Sequence, residues 1–160
     1  MKTAVVTYSL SGSCALIAQE LKTRLDADLL RLHTEDEKHR GGFAKFFWGI
    51  GVMLGIKKAP LKPYTFAPAA YDIIIIGAPV WAGSPARPIQ AFLAENCIKG
   101  KKIALFVCHN GGKGKALEQM KALLPGNDIC AEADFIRPIK NMEQAARQAA
   151  DWAETLSAKC

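Results

Sequence analysis

Short apolar runs alternate with stretches of helical spacing along the chain, and this alternation limits the possible fold more than any other feature. The apolar runs are rich in β-branched and aliphatic residues at nearly every position, which is typical of strands buried on both faces. They are Thr3–Thr7, Ala27–Leu32, Asp72–Gly77, Lys102–Val107 and Ile129–Phe135. The helical stretches are Cys14–Arg24, Arg87–Glu95, Lys115–Leu124 and Met142–Leu156. A strand–helix alternation of this kind predicts an α/β fold with a parallel sheet and helices on both faces.

One stretch, Thr34–Pro68, is longer than a normal strand–helix connection. Apolar residues within Phe43–Leu54 fall at three-and-four spacing, although Gly49 and Gly51 interrupt them and Gly55 follows. We therefore expect a short amphipathic helix there, followed by an extended return through Pro60, Pro63 and Pro68. Its apolar face would pack on the sheet, cover a ligand, form a homodimer contact or touch a membrane surface.

Length and composition indicate one ordinary globular domain spanning residues 1–160, with 50% apolar and 22% charged residues. No apolar run is long enough to cross a bilayer, so we expect no stable membrane insertion. The chain start lacks the apolar core and cleavage site of a secretion signal, which predicts a cytoplasmic location.

The net charge of +6 indicates a bias towards anionic cofactors or partners. The lysines are dispersed, and no DNA- or RNA-binding module is recognisable, so nucleic acid is not an expected partner.

Five cysteines occur singly and widely spaced. An odd count without a CxxC pair supports neither a disulfide framework nor a zinc site. Four of them are therefore expected to be reduced thiols that act as small hydrophobic residues, and Cys14 is considered with its loop.

Three loops follow strands, and ligands of open parallel sheets bind at the carboxyl ends of the strands. The first loop offers serine hydroxyls, a turn at Gly12 and the positive end of the first helix, a combination that suits a phosphate. It contains Ser9, Leu10, Ser11, Gly12, Ser13 and Cys14. A serine-rich turn at a helix start is also a common N-cap.

The second loop would offer Trp81 as a flat apolar face to a planar ligand, unless this side chain folds over the following helix. Its candidate residues are Pro79, Val80, Trp81, Ala82 and Gly83. In the third loop, glycines would let backbone groups approach the polar edge of a ring. Its candidates are His109, Asn110, Gly111, Gly112 and Gly114. His109 alone suits a structural role, because no second histidine or carboxylate stands at metal-ligand or triad spacing.

These segments resemble those of flavodoxins. The segment Ser9–Cys14 is similar to the flavodoxin phosphate loop Ser/Thr-x-Thr-Gly-Asn-Thr, and Asp72–Gly77 with Pro79–Trp81 is similar to the second flavin loop. His109–Gly114 resembles the third, and Gly42–Gly49 resembles a segment of a bacterial and archaeal flavodoxin-like branch. The last strand runs without an insertion, as in the short-chain form.

The resemblance implies an αβα sandwich with a five-stranded parallel sheet of order 2-1-3-4-5 and one non-covalent FMN. By position, the first loop would hold the phosphate, and the other two would flank the isoalloxazine. Cys14 replaces a threonine of the family, and its weaker donor would cost about 1 kcal/mol, or about fivefold in affinity. A cysteine at a helix start could also be an acidified, reactive thiol.

The resemblance further implies an FMN-binding redox protein. It would be either an electron carrier with a redox partner protein or an oxidoreductase that uses NAD(P)H or a quinone. Flavodoxin electron carriers are typically acidic, whereas this chain is basic. Positive charge stabilises the negative charge of reduced flavin, so the basic charge favours the reductase over the carrier. The alternative is a binding or regulatory module of the same fold without redox turnover. We expect no catalytic acid or base from the protein and no metal.

Overall fold

The computed structural model describes residues 1–35 and 60–160. The strands are β1 (Thr3–Tyr8), β2 (Asp28–Leu32), β3 (Ile73–Trp81), β4 (Ser84–Pro85), β5 (Lys102–His109) and β6 (Asp128–Ile136). The helices are α1 (Ser13–Leu25), α2 (Arg87–Asn96), α3 (Ala116–Ala122) and α4 (Met142–Lys159). Short 3-10 helices lie at Pro68–Ala70 and Pro138–Lys140. The predicted helix within 43–54 lies outside the described residues.

The long strands pair in parallel in the order β2-β1-β3-β5-β6, and β4 pairs antiparallel with the end of β3. Because β5 and β6 are the fourth and fifth of the long strands, the predicted order 2-1-3-4-5 is confirmed. The chain reverses direction across the sheet between β1 and β3, which are neighbours. Ligand sites of such sheets lie at this switch point, beyond the carboxyl ends of the strands.

Helices cover both faces of the sheet, which explains why the central strands are apolar at every position. On one face, Val5 and Ile75 pack in a cluster with residues of α1 and α4. On the other face, Val6 and Ile76 pack in a second cluster with residues of α2 and α3. Ile74 belongs to this second cluster and, like the others, is fully buried.

The second loop differs from the prediction, because β3 continues through Trp81 and returns as β4. The turn consists of Ala82 and Gly83, with φ angles of 49° and 74°. Positive φ at both central residues is what a type I′ hairpin turn requires, and this turn follows the natural twist of two paired strands. The predicted loop is therefore a short hairpin that projects from the carboxyl edge of the sheet.

One expectation about the cysteines is wrong: Cys130 and Cys160 form a disulfide, with their Cα atoms 5.7 Å apart. The register between β5 and β6 shifts beside Ile103, where Cys130 is the extra residue in β6. α4 runs three residues beyond its predicted end at Leu156 and brings Cys160 to β6. Neither the bulge nor the helix docking is visible in cysteine spacing. Cys14, Cys97 and Cys108 are free thiols.

The segment before β3 is mostly irregular, as its prolines predict. An antiparallel bridge pairs Thr34 with Leu61. The side chains of Tyr64 and Phe66 pack on Phe92 of α2, with ring centroids 5.7 and 5.3 Å from it. Within residues 1–35 and 60–160, no helix has both the length and the apolar character needed to cross a membrane.

Candidate functional site

The three predicted loops meet at the carboxyl edge of the sheet around one cavity of about 580 Å³. Most of the predicted cofactor-binding residues line it: Leu10, Ser11, Ser13, Pro79, Val80, Trp81, Ala82, Gly83, His109, Asn110, Gly111 and Gly112. Cys108, at the end of β5, also lines the cavity and was not predicted. Ser9, Gly12, Cys14 and Gly114 lie in the same loops but do not line it. A cavity of this size accommodates a small-molecule ligand or cofactor.

The first loop presents the start of α1 to the cavity. Gly12 precedes the helix with a φ of 94°, in the left-handed region that glycine adopts without strain. Gly12 has no side chain to cap the helix, and within residues 1–35 and 60–160 no side-chain cap accepts from the first N–H groups of α1. The Oγ atoms of Ser11 and Ser13 lie 3.4 Å apart beside them. Free N–H groups, hydroxyls and the positive helix end together favour a bound anion.

Ser9 contributes a buried polar group to the first loop. Its Oγ is buried, and within the described parts of the chain it has no hydrogen-bond partner. A buried hydroxyl without a partner is unfavourable, and most such groups in proteins are paired. An anion held by this loop would give the hydroxyl an acceptor.

The Cys14 thiol does not belong to the anion-binding surface. Cys14 begins the buried face of α1 that continues through Ile17 and Leu21, and its side chain is fully buried. Burial, and next a hydrogen bond with Cys108, raise the pKa of the Cys14 thiol well above its usual range. The hypothesis of an acidified, reactive thiol is therefore wrong, since desolvation outweighs the helix end. Only the backbone N–H of Cys14 can serve a ligand here.

Trp81 forms part of the cavity wall from the end of β3. Its ring packs edge-to-face on Tyr8, with ring centroids 5.9 Å apart and an angle of 86° between the planes. It also borders a smaller cavity of about 160 Å³ with Arg87 and Gln90 of α2. Trp81 therefore lines the main cavity and also lies near α2.

The hairpin turn and the third loop are joined directly. The N–H of Lys115 donates to the carbonyl of Gly83 at 2.9 Å. A Cβ on Gly114 would lie only 2.5 Å from the Cα of Gly83 and 2.6 Å from its oxygen. Gly114 thus allows a backbone contact that sets the spacing of two cavity walls.

His109 holds the third loop to β6. Its Nδ1 accepts from the N–H of Gly111 at 3.2 Å, so its Nε2 carries a proton and donates to Asp134 at 3.0 Å. Lys113 also reaches the Asp134 carboxylate, at 3.1 Å. The His109 hydrogen bond, and then Lys113, lower the pKa of Asp134, although partial burial opposes them. The structural role expected for His109 is consistent with these contacts.

Arg137 also fixes this loop. Its N–H donates to the carbonyl of His109 and its Nε to the carbonyl of Asn110, each at 2.8 Å. It has a φ of 47°, which is strained for a residue other than glycine. Sequence reasoning missed Asp134 and Arg137, because only the pairing of β6 with β5 brings them to the loop. Within the described ranges, no group of three metal-ligating side chains occurs.

A comparison with protein-family models finds no match, and a comparison with curated proteins finds none either. Solved structures give clear similarities. A flavoprotein in complex with FMN from Lactobacillus acidophilus NCFM has a TM-score of 0.70 and 22% identity, over 87% of this chain and 96% of that one.

Two flavodoxins are similar as well. Oxidised flavodoxin 2 from Bacillus cereus has a TM-score of 0.61 and 17% identity over 100% of both chains. The two-electron reduced flavodoxin from Megasphaera elsdenii has a TM-score of 0.57 and 16% identity, over 94% of this chain and 97% of that one. This chain therefore has the flavodoxin-like fold.

Proposed function

We propose that this chain is a flavoprotein that binds one FMN in the cavity at the carboxyl edge of its sheet. One observation carries the proposal: an uncapped helix start, an aromatic wall and a glycine-rich backbone wall surround the same cavity. The similar Lactobacillus protein, whose structure holds FMN, supports the same assignment.

The phosphate of FMN fits the first loop. It would accept from the N–H groups at the start of α1 and from the hydroxyls of Ser11 and Ser13. The buried hydroxyl of Ser9, which has no partner within residues 1–35 and 60–160, would become a donor to it. The positive end of the helix would stabilise the phosphate charge.

The isoalloxazine fits between the walls formed by Trp81 and by the loop of residues 109–112. Trp81 supplies a flat apolar surface, and the glycines of the third loop leave backbone groups free for the polar edge of the ring. His109 and Arg137 hold these backbone groups in place, because each is hydrogen-bonded to the loop. The walls are thus positioned before a ligand binds.

Bound FMN would supply one- and two-electron transfer, the chemistry that no side chain of the cavity provides. The chain would bind it, orient it and set the local charge. Arg137 is a cation beside the cavity and favours the negative charge of the reduced cofactor, whereas the charge of Lys113 is offset by its ion pair with Asp134.

We propose a redox role, either as an electron carrier for a partner protein or as a reductase that uses NAD(P)H or a quinone. The basic charge of the chain favours the reductase. A cytoplasmic location is part of this proposal. The Cys130–Cys160 disulfide is unusual for that compartment, where thiols are mostly kept reduced.

The test is the visible spectrum of the purified protein, followed by anaerobic addition of NADPH or NADH. We expect flavin absorption that a denaturant releases as FMN, and bleaching by one of the two nucleotides. Bound flavin that neither nucleotide reduces, but a partner reductase does, would indicate the electron carrier instead. A colourless protein that takes up no added FMN would refute the flavoprotein assignment and favour the binding module.

A further inference from the structure

A short segment from the end of β6 to the start of α4 concentrates exposed apolar side chains. Five large hydrophobic side chains are exposed within residues 1–35 and 60–160. Three of them lie within seven consecutive positions: Ile136 is 61% exposed, Ile139 is 45% exposed and Met142 is 57% exposed. We call residues 136–142 the exposed segment. Clustered apolar exposure on a protein surface commonly marks an interaction site.

The exposed segment is held in one conformation. Arg137 anchors its start through hydrogen bonds to His109 and Asn110. Pro138 is buried, and the side chain of Asn141 accepts from the N–H of Gln144 to cap α4. The apolar side chains therefore project from a fixed backbone. A surface ordered in advance loses less conformational entropy when it binds a partner.

The segment also borders the candidate cofactor cavity. Arg137 donates to two residues that line it. A Cβ placed on Gly12, in the first loop, would lie 3.6 Å from the Cδ1 of Ile139. A molecule that covered the exposed segment would therefore stand at the edge of the cavity.

The exposed segment carries positive charge of its own. The nearby carboxylates are already engaged: Asp134 with Lys113 and His109, and Glu143 with Arg147. Two cations of the segment itself, Arg137 and Lys140, have no carboxylate partner within the described parts of the chain. Apolar side chains within a positively charged surround are complementary to an apolar patch with an acidic rim.

We propose that the exposed segment is the docking surface for an acidic protein partner, which would meet the cofactor cavity at this edge. The proposal rests on the proposed function in one respect, since docking here would serve electron transfer to or from bound FMN. A second copy of this chain is a poor occupant, because a symmetric contact would place Arg137 and Lys140 of one copy against Arg137 and Lys140 of the other. An acidic partner neutralises them and buries Ile136 and Met142 in one contact.

The experiment measures docking itself and uses an acidic plant-type [2Fe–2S] ferredoxin as the probe and basic cytochrome c as the opposite-charge control. Isotope-labelled protein, as purified, is titrated with each at low ionic strength, and amide shifts and affinity are recorded. We expect ferredoxin to shift amides of residues 113–115 and 136–142, with affinity that falls as salt is added. Cytochrome c should leave these amides unchanged.

Two variants test the two parts of the surface. Lys140→Gln should weaken ferredoxin binding about threefold and flatten its salt dependence, and Lys140→Arg should restore both. Met142→Ser should weaken binding about fivefold with an unchanged salt dependence. The matched control is Lys22→Gln with Lys159→Gln, which removes exposed charge from the last turns of α1 and α4 at the other end of the sheet.

The proposal is wrong if ferredoxin shifts no amide of the segment, or if the control variant weakens binding as much as Lys140→Gln. Binding of the segment to anionic lipid vesicles without binding to ferredoxin would also overturn it. So would self-association that Met142→Ser abolishes. None of these readouts needs bound flavin, so a separate FMN titration shows whether the proposed function has failed instead.

Discussion

Gly114 packs against Gly83 so closely that a Cβ on Gly114 would lie 2.5 Å from the Cα of Gly83. The two residues belong to different loops, and the hydrogen bond from Lys115 N–H to Gly83 O lies beside the contact. The spacing between the Trp81 wall and the third loop therefore depends on a residue that does not itself line the cavity.

Gly114→Ala should force these two loops apart. The new methyl group meets backbone, which cannot move aside like a flexible side chain, and alanine is strained at a φ of 53°. We expect a loss of about 2 kcal/mol in the free energy of unfolding and at least a tenfold weaker affinity for FMN. Urea denaturation and quenching of FMN fluorescence measure the two effects. Gly100→Ala is the matched control, since Gly100 also has a positive φ of 65°, a Cβ there meets nothing within 4 Å, and it does not line the cavity; equal losses in both variants would contradict the account.

Ser9→Ala should separate cofactor affinity from protein stability. The variant removes a buried hydroxyl that has no partner within the described ranges, so the apoprotein should be unchanged or about 1 kcal/mol more stable. Affinity for FMN should nevertheless fall about tenfold, because a hydrogen bond to the charged phosphate is lost. Thermal or urea unfolding of the apoprotein and an FMN titration provide both values. In Ser157→Ala, which alters a hydroxyl bonded within α4, FMN affinity should not change. A less stable Ser9→Ala apoprotein with normal affinity would rule out this role.

Asp134 should make stability fall in acid. Its pKa is lowered in the folded protein, chiefly by the hydrogen bond from His109, so below about pH 4 the unfolded chain binds more protons than the folded one. The stabilisation is present above the unfolded pKa and is lost as the pH falls through the folded value. Asp134→Asn should therefore flatten the pH dependence of the unfolding free energy between about pH 5 and pH 3.

The change should stay below about 1 kcal/mol, because the carboxylate is 32% exposed and water screens it. Urea denaturation at a series of pH values provides the measurement. Glu132→Gln is the control and should change the curve less, since Glu132 lies on the same strand as Asp134 and forms a partly exposed ion pair with Lys121 of α3. An unaltered acid slope in Asp134→Asn would show that His109 and Lys113 do not stabilise this carboxylate.

The Cys130–Cys160 disulfide should contribute stability without affecting the cavity. It closes a loop between positions 30 residues apart, which is worth about 3 kcal/mol when the unfolded chain is cross-linked. A reductant or Cys160→Ser should lower the free energy of unfolding by about that amount. FMN affinity should be unchanged, since Cys130 lies near the beginning of β6 and the cavity lies beyond the ends of the strands. Cys97→Ser, at an exposed free thiol, is the control. A thiol titration of the unfolded, unreduced protein should detect three of the five cysteines; five would contradict the disulfide.

Local pattern was enough to predict the parallel α/β architecture, whereas the strand order was predicted only from the resemblance to flavodoxins. The run of isoleucines in β3 is apolar without alternation because helices cover both faces of the sheet, and this alone indicates a parallel α/β architecture. The three candidate loops could be predicted for a related reason: the carboxyl ends of parallel strands share one edge. The continuation of β3 into a hairpin could not, because Pro79 and Gly83 are equally typical of an irregular loop.

The features that sequence reasoning missed depend on contacts between distant residues. Asp134 and Arg137 reach the third loop only through the pairing of β6 with β5. The disulfide needs both the extra residue in β6 and the docking of α4. The Cys14 thiol was considered as a phosphate donor or an acidified thiol because of its position at a helix start, whereas it belongs to the buried face of α1.

The most direct test of the account compares FMN with riboflavin, which lacks the phosphate, in calorimetric titrations of the apoprotein. We expect one FMN per chain with a Kd of about 1 μM or lower, and binding of riboflavin at least about 100-fold weaker, since the first loop would hold the phosphate. Equal affinity for the two flavins would contradict the role of that loop, and binding of neither would contradict the flavoprotein assignment itself.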